Sequence, residues 1–439
     1  MGDRAAGEAT QWSSDRVLLV SGDSHVGPSL EHQLRAYCPQ KHLEAFDAYT
    51  EGAKALAGFF DPGPNGKTPG HNDAKVRLQD MDRDGVAAEV IYHGSFNDET
   101  FPFQGSPFTD PFDLELAATG YDIYNRWLAD FCSEAPERLI GLATVTLWDL
   151  DAAVEQVTWA AERGFRGINF PVTRPGWKHY NDPHWEPLWC AVEDAGLVLS
   201  THCGAGIDEG VISATGTPLM LIEGAGELNR RPIARMIVGG VFERHPNLKL
   251  AMTEQPGLWM PFMLDNMDAA VASHESRRKV PVPRPDMTPL TRRPSDYFLS
   301  NVSIGASFMA PFEAEAAIRY GYWPTVFWGR DYPHPEGTWK YTENLDEEPL
   351  THMSLRHTCA GLPEKEMRAM LGHNAVEIYG LESQKLLDIA ADIGPTPEQI
   401  TTPLDEIPEL WGPVREGMGS SAFRTQGTFA ARAEAAMAR

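Results

Sequence analysis

A (β/α)8 barrel is the fold class this 439-residue sequence predicts, and three observations predict it. Eight short apolar runs can be counted, most followed by a segment of helical pattern. Most of the runs are continuously aliphatic or β-branched instead of alternating, as expected of parallel strands buried on both faces. Several acidic and imidazole side chains stand directly after such runs, at the strand ends where a barrel keeps its chemistry.

In chain order the strand candidates are Val17–Ser21, Val86–Tyr92, Ile140–Thr146, Gly167–Phe170, Leu197–Thr201, Leu248–Thr253, Tyr297–Val302 and Val326–Gly329. Between them, Asp122 to Glu134 is aromatic on one face and followed by Pro136. Asp151 to Arg163 has apolar residues at helical spacing and stops at Gly164, a natural C-cap. Glu227 to Glu243 reads as a further helix ending before Pro246. Three stretches exceed a minimal barrel: Ser29–Lys75 after the first strand, Gly204–Gly226 after the fifth, and Ser273–Ser295 before the seventh. The first two leave from strand C-ends and supply a lid and a specificity pocket. The expected organisation is an N-terminal tail (1–16), a barrel domain (17–382) and a C-terminal extension (383–439).

A formal charge of -25 excludes nucleic acid and anionic membrane as partners, because the phosphate term would be repulsive. No apolar run approaches the ~20 residues that span a bilayer, and the first residues lack the order of a signal peptide. The five cysteines are widely spaced, with no C-x-x-C, so neither a disulfide framework nor a thiolate metal site is indicated. A cytoplasmic protein acting on a small molecule is the expectation. The tail and the helical flanks of a barrel suggest a homodimer.

The chemistry lies in a tetrad. Asp23 and His25 close Val17-Leu-Leu-Val-Ser-Gly-Asp-Ser-His25, His202 closes Gly196-Leu-Val-Leu-Ser-Thr-His202, and Asp331 closes Thr325-Val-Phe-Trp-Gly-Arg-Asp331. Imidazole and carboxylate together are the donors a hydrolytic Zn²⁺ or Mn²⁺ uses, and ligands from separate strand ends leave a position open for water. Each piece has a plain alternative. Asp23 and His25 could form a strand-end Asx turn, His202 could be a satisfied core histidine, and Asp331 could cap a helix. Pro333 disfavours that last option, since it biases Tyr332 away from helix.

These residues, with Arg77-Leu-Gln-Asp-Met-Asp-Arg-Asp-Gly85, Arg163-Gly-Phe-Arg-Gly-Ile-Asn169, Gly240-Val-Phe-Glu-Arg-His-Pro246, Gly329-Arg-Asp-Tyr-Pro-His334 and Gly372-His-Asn-Ala-Val-Glu-Ile-Tyr-Gly380, resemble the amidohydrolase superfamily. The resemblance is to the amidohydrolase-related branch that includes aminocarboxymuconate-semialdehyde decarboxylase, and it covers Val17 to Leu381. It implies one divalent metal, Zn²⁺ before Mn²⁺ or Fe²⁺, carried onto Asp23, His25, His202 and Asp331. One departure matters. Decarboxylases of this branch place a histidine at the end of the sixth strand, whereas here that strand ends Leu250-Ala-Met-Thr-Glu254-Gln-Pro-Gly257. A carboxylate is a competent base for water but a poor acid at neutral pH unless burial raises its pKa.

The expectation that follows is a metal-dependent hydrolase acting on an amide, ester or activated C–C bond of a small carboxylated or cyclic molecule. Glu254, Asp331 and His334 are the catalytic candidates, with Arg77, His93 and Trp177 contacting substrate. Arg77 would grip a carboxylate through its fork, and Trp177 would stack on a ring. The alternative is a metal-dependent non-oxidative decarboxylase of an aromatic or muconate-like acid, in which His334 or His93 replaces the missing histidine. A barrel that binds without turnover is the third class, disfavoured by the intact tetrad. Glu254 also has a structural alternative as the buried partner of Arg77 or Arg330.

Overall fold

The computed structural model describes residues 15–54, 63–95, 97–103, 113–171, 176–202, 228–255, 257–277, 290–407 and 423. Eight parallel strands follow one another around a barrel: β1 (Leu19–Ser21), β2 (Val86–His93), β3 (Leu139–Thr144), β4 (Gly167–Asn169), β5 (Val198–Thr201), β6 (Lys249–Met252), β7 (Val302–Ser307) and β8 (Val326–Gly329). Each pairs in parallel with its successor, for example Ile304↔Val326 and Ser307↔Gly329 between β7 and β8. The ring closes through main-chain bonds from Gly22 N to Trp328 O (2.9 Å) and from Asp331 N to Asp23 O (3.1 Å). A two-residue strand, His25–Val26, extends β1 and pairs with the end of β2.

Alternation along the strands explains why their sequences read as unbroken apolar runs. Val20, Ala88, Val90, Ile140, Leu142, Val198, Ala251 and Phe327 join one buried cluster. The intervening residues, among them Leu19, Ile91, Ile168, Leu199, Leu250 and Ile304, pack in a second cluster with the surrounding helices. Neither face meets water, so neither demands a polar residue.

Aspartate caps start several of the helices. Asp73, Asp113 and Asp149 each accept from main-chain N–H groups of the first turn, opening helices Ala74–Asp84, Leu114–Cys132 and Leu150–Glu162. The second of these begins eight residues before the Asp122 expected, because Asp113 supplies the cap. The helix expected to run from Glu227 to Glu243 breaks at Gly239-Gly240, where Gly240 takes φ +73, leaving Leu228–Val238 and Val241–Arg244.

The seventh strand is a correction. Residues expected as Tyr297–Val302 are mostly the helix Pro294–Asn301, and the strand is the next segment, Val302-Ser-Ile-Gly-Ala-Ser307. Pro294 starts the helix at a position that needs no N–H donor. The Asn301 side chain ends it by donating to the carbonyls of Pro246 and Leu248, both at 2.9 Å. Half-polar Val302–Ser307 looks too weak for a core strand, yet it is buried throughout.

The three insertions follow less regular paths. The first holds helix Leu43–Lys54 and short turns at Gly63–Lys67 and Pro69–His71. The second, Gly204–Gly226, lies outside the described residues. The third begins inside helix Trp259–Arg277 and ends in helix Pro294–Asn301, with 278–289 outside the described residues. The first part of the C-terminal extension packs on the barrel. Leu386 and Ala390 of helix Ser383–Ile393 join the cluster of β1 and β2, and Val17 N donates to Pro395 O at 2.8 Å. Among the described residues, no helix is long and apolar enough to cross a membrane.

Candidate metal centre

Four strand ends bring the tetrad together. Asp23 and His25 follow β1, His202 follows β5, and Asp331 follows β8, so residues more than three hundred positions apart meet on the C-terminal rim. Asp23 Oδ1 lies 3.3 Å from His25 Nε2 and 3.3 Å from His202 Nε2, while Asp331 Oδ1 lies 3.3 Å from His25 Nε2. None of these approaches is a hydrogen bond. Asp23 Oδ1, His25 Nε2 and Asp331 Oδ2 are buried without a hydrogen-bond partner among the described residues.

Orphaned buried polar atoms are costly, so their convergence needs an explanation. A cation would supply it. Ligands ~2.0–2.2 Å from one ion stand ~3–3.5 Å from each other, the separation found here. The donor set of two imidazoles and two carboxylates suits Zn²⁺, Mn²⁺ or Fe²⁺, and both Asp23–His25–His202 and His25–Asp331–His334 have ligand atoms close enough together to hold an ion. The residues present fit the group.

The surroundings fix the ligands in the state a metal needs. His25 Nδ1 donates to the His93 carbonyl at 3.0 Å, which leaves the Nε2 lone pair facing the centre. His202 turns Nδ1 toward Glu254 Oε2 at 3.6 Å, so its Nε2 also faces inward. Ser307 at the end of β7 donates to Asp23 Oδ2. Burial works against the Asp23 anion, but His202 and His25 outweigh it and hold its pKa well below the carboxylate range. Asp331 behaves likewise: burial raises its pKa, and His334 more than compensates.

Close packing sets the remaining geometry. A side chain on Gly329 would place its Cβ 2.6 Å from Asp23 Cβ, so β8 passes Asp23 only because that residue is glycine. Glu254 and Asp331 both adopt φ +55, a conformation costing a non-glycine residue ~1–3 kcal/mol and concentrated at functional sites.

Beneath the ligands lies a charged layer. Glu89 of β2 is fully buried between Arg77 and Arg330, and Arg330 Nη1 also reaches Asp84 at 3.0 Å. Arg77 Nη1 donates to the carbonyls of His25 (2.9 Å) and Gly70 (3.1 Å), and the Tyr332 ring lies 3.9 Å from its guanidinium. Arg77 is therefore placed behind His25 as a brace and not as the carboxylate clamp expected from the sequence. This also removes the structural alternative for Glu254, because Glu89 occupies both arginines.

The other candidates divide. His334 sits over His25 with ring centroids 4.0 Å apart, its Nδ1 3.0 Å from Asp331 Oδ1 and its Nε2 2.6 Å from Gly94 O. Burial disfavours its cation, but Asp331 outweighs that and lifts its pKa to about 10. With both nitrogens engaged it orients Asp331. His93 contributes its carbonyl, while its ring lies among Phe101 (4.9 Å) and Tyr124 (5.3 Å). Burial there, with His25 nearby, depresses its pKa to about 3, so it is no proton donor at neutral pH. Trp177 packs near Trp185, with centroids 6.2 Å apart, and is not brought to the tetrad. His245 is tied to Glu186 and Glu193 away from the centre, as its helix-to-strand position suggests.

Four residues of the centre are absent from the sequence-level list. Glu336 offers a carboxylate oxygen within 4.8 Å of those of Glu254 and Asp331; its place two residues past His334 is the one signal that points to it. Asn65, inside the first insertion, is buried, and its amide donates to the carbonyls of Pro333 (3.0 Å) and Trp339 (3.2 Å). Ser307 and Glu89 carry no local signal.

A family model described as Amidohydrolase matches residues 100–381, well over half of the chain. The chain belongs to the amidohydrolase family. Among its amidohydrolase relatives, the 2-amino-3-carboxymuconate-6-semialdehyde decarboxylase of Dictyostelium discoideum is 24% identical over 326 residues, 72% of this chain and 79% of that one. A gamma-resorcylate decarboxylase of Rhizobium sp. (strain MTP-10005) is 25% identical over 276 residues, 60% of this chain and 78% of its own. The fold is shared with the 5-carboxyvanillate decarboxylase of Sphingomonas paucimobilis (TM-score 0.56, 19% identity, covering 83% of this chain and 100% of that one). It is also shared with an amidohydrolase of Mycobacterium avium subsp. paratuberculosis (TM-score 0.60, 17% identity, covering 83% and 99%). The chain is thus an enzyme of the amidohydrolase superfamily.

Proposed function

We propose that this amidohydrolase is a metal-dependent, non-oxidative decarboxylase of a hydroxylated aromatic or muconate-like acid. The carrying observation is that the curated relatives it matches over most of their length are named decarboxylases, on a chain whose buried ligand atoms converge as a cation requires. The comparisons thereby favour the alternative drawn from sequence over hydrolysis. A structural neighbour, the 5-carboxyvanillate decarboxylase of Novosphingobium aromaticivorans, was crystallised with manganese, which supports Mn²⁺ beside Zn²⁺ for this chain.

Asp23, His25, His202 and Asp331 would hold the cation, whose Lewis acidity anchors the substrate's carboxylate and adjacent oxygen. The chain's own residues do the rest. Arg77 and the His93 carbonyl fix His25, and His334 fixes Asp331, so the ligands do not reorganise during reaction. Glu254, at the end of β6 and facing His202, is the proton carrier in this proposal. In its acid form it protonates the ring carbon that bears the carboxylate. The C–C bond then breaks, its electron pair returns to the ring, CO₂ leaves, and Glu254 is reprotonated from water. The products are the arene and CO₂.

Hydrolysis keeps a second place because of one feature: Glu254 stands where the decarboxylases of this branch carry histidine, and a carboxylate suits abstraction from water. The two are separated by incubating the metal-loaded enzyme with 2,6-dihydroxybenzoate and 5-carboxyvanillate in H₂¹⁸O. Stoichiometric CO₂ with an unlabelled aromatic product supports decarboxylation. Turnover of amide or ester analogues with ¹⁸O in the product acid, and no CO₂, would replace it by hydrolysis.

A further inference from the structure

Arg77, fully buried against Glu89 and the His25 carbonyl, is out of a substrate's reach. Arg230 is differently placed. It lies on the first turn of helix Leu228–Val238, which runs from the β5 end of the barrel down to the start of β6, so that turn stands at the C-terminal rim. Its Nε donates to Gln255 Oε1 at 3.2 Å, and its guanidinium lies over the Trp259 ring at 4.5 Å. Gln255 is buried, and its carbonyl accepts from the Trp259 indole N–H at 3.2 Å. Consecutive residues after β6 thus face two groups: Glu254 reaches His202, and Gln255 holds Arg230. The far edge of the guanidinium is open. Arg230 is half-buried, yet among the described residues it has no carboxylate partner, and neither Nη1 nor Nη2 makes a hydrogen bond. Burial alone draws its pKa down, as expected of a guanidinium with no anion beside it. Other arginines folded into the protein are paired: Arg330 with Glu89 and Asp84, Arg244 with Glu186, Arg368 with Glu364. A desolvated cation left without an anion is costly, and this chain of formal charge -25 has carboxylates in plenty.

We propose that Arg230 binds a second carboxylate of the substrate, so that the enzyme takes dicarboxylic aromatic or muconate-like acids in preference to monocarboxylic ones. The inference rests on the decarboxylase reading. The carboxylate that leaves as CO₂ lies at the tetrad, and the one that stays is gripped by paired N–H···O bonds from Nη1 and Nη2. Nε is already bound to Gln255 and the guanidinium plane rests on Trp259, so the fork is set before substrate arrives and little freedom is lost on binding. A substrate with an uncharged group at that position leaves the guanidinium unpaired, and this cost is the source of the discrimination.

The test is calorimetric titration of the Mn²⁺-loaded full-length protein with two probes, 4-hydroxy-3-methoxy-5-nitrobenzoate and 2-methoxy-6-nitrophenol. They differ by one carboxylate and carry none beside the hydroxyl, so binding is read without turnover. The wild type should bind the benzoate ~10–100-fold more tightly than the phenol. Arg230→Ala should remove that preference by weakening the benzoate alone, and Arg230→Lys should keep part of it. Circular dichroism checks that the variants fold, and Arg230→Gln takes the place of Arg230→Ala if the latter does not. Equal affinity of the wild type for the two probes, binding of neither, or a preference that survives in Arg230→Ala would overturn the assignment. Failure of the decarboxylase reading is seen separately, as absence of CO₂ from 5-carboxyvanillate in a protein that still binds the benzoate through Arg230.

Discussion

Glu89→Gln tests whether the ligands are held from beneath by the buried charged layer. Glu89 is fully buried, with Arg77 on one carboxylate oxygen and Arg330 on the other at 2.9 Å. The amide leaves two guanidiniums in the core with Asp84 as the remaining carboxylate partner. Breaking a buried pair by removing one partner costs ~3–5 kcal/mol. At ~2.1 cal/mol/K per residue, a chain of 439 residues has an unfolding entropy of ~0.9 kcal/mol/K, so Tm falls by ~3–5 °C. The pH dependence has a definite sign. Burial raises the Glu89 pKa, but Arg77 and Arg330 outweigh it and leave the folded value below 4.5. A depressed folded pKa gives stability that is present above the unfolded value and lost as pH falls through the folded one. The gap in Tm between wild type and variant should therefore be constant from pH 8 to about 5 and narrow below 4.5. Differential scanning calorimetry of the metal-free proteins measures it. The same variant should weaken cation binding ~10–100-fold, since Arg77 braces the His25 carbonyl. Equal Tm values at pH 7, or a gap that widens on acidification, would refute the argument.

Three further outcomes are expected. His202→Ala should lose the tetrad cation and turnover yet keep its far-UV dichroism, because a strand-end ligand is not core packing; global unfolding would count against the assignment. Glu254→Gln should retain the tetrad ion while turnover falls ~10²–10⁴-fold, and near-wild-type rates would remove Glu254 from the chemistry. Gly329→Ala should lower metal affinity, measured by calorimetric titration, because its Cβ would press to 2.6 Å from Asp23 Cβ; unchanged affinity would show that Asp23 can yield without cost.

The barrel and the meeting of Asp23, His25, His202 and Asp331 at its rim were legible because both depend on local pattern. Strand ends announce themselves where an apolar run meets a polar residue, and Asp23, His25, His202 and Asp331 all stand at such junctions. β7 was misplaced by five residues because Ser303, Gly305 and Ser307 dilute its apolar pattern, while Tyr297 and Phe298 make the preceding helix look like a strand. Arg77 was misjudged for a different reason. Its role depends on Glu89, 12 residues away in sequence but on another element, and on Arg330 at the far end of the chain. Side chains that act through long-range partners leave no spacing to read. Asn65 shows the same limit: its amide binds carbonyls more than 260 residues later, with nothing beside it in sequence to say so.

Glu254 is where fold and chemistry separate. The barrel delivers whatever follows β6 to the same place beside His202, so exchanging histidine for glutamate leaves the scaffold intact and changes the proton inventory. A histidine there would carry a proton at neutral pH without help. A glutamate carries one only when burial or a neighbouring anion raises its pKa, and carboxylate oxygens of Asp331 and Glu336 lie within 4.8 Å of its own. For a decarboxylase of this design, turnover should rise with Mn²⁺ along a single saturating curve as Asp23, His25, His202 and Asp331 take up the ion, and Glu254→Gln should lower its plateau without shifting its midpoint. A midpoint that moves with the variant would place Glu254 among the ligands instead of in proton delivery.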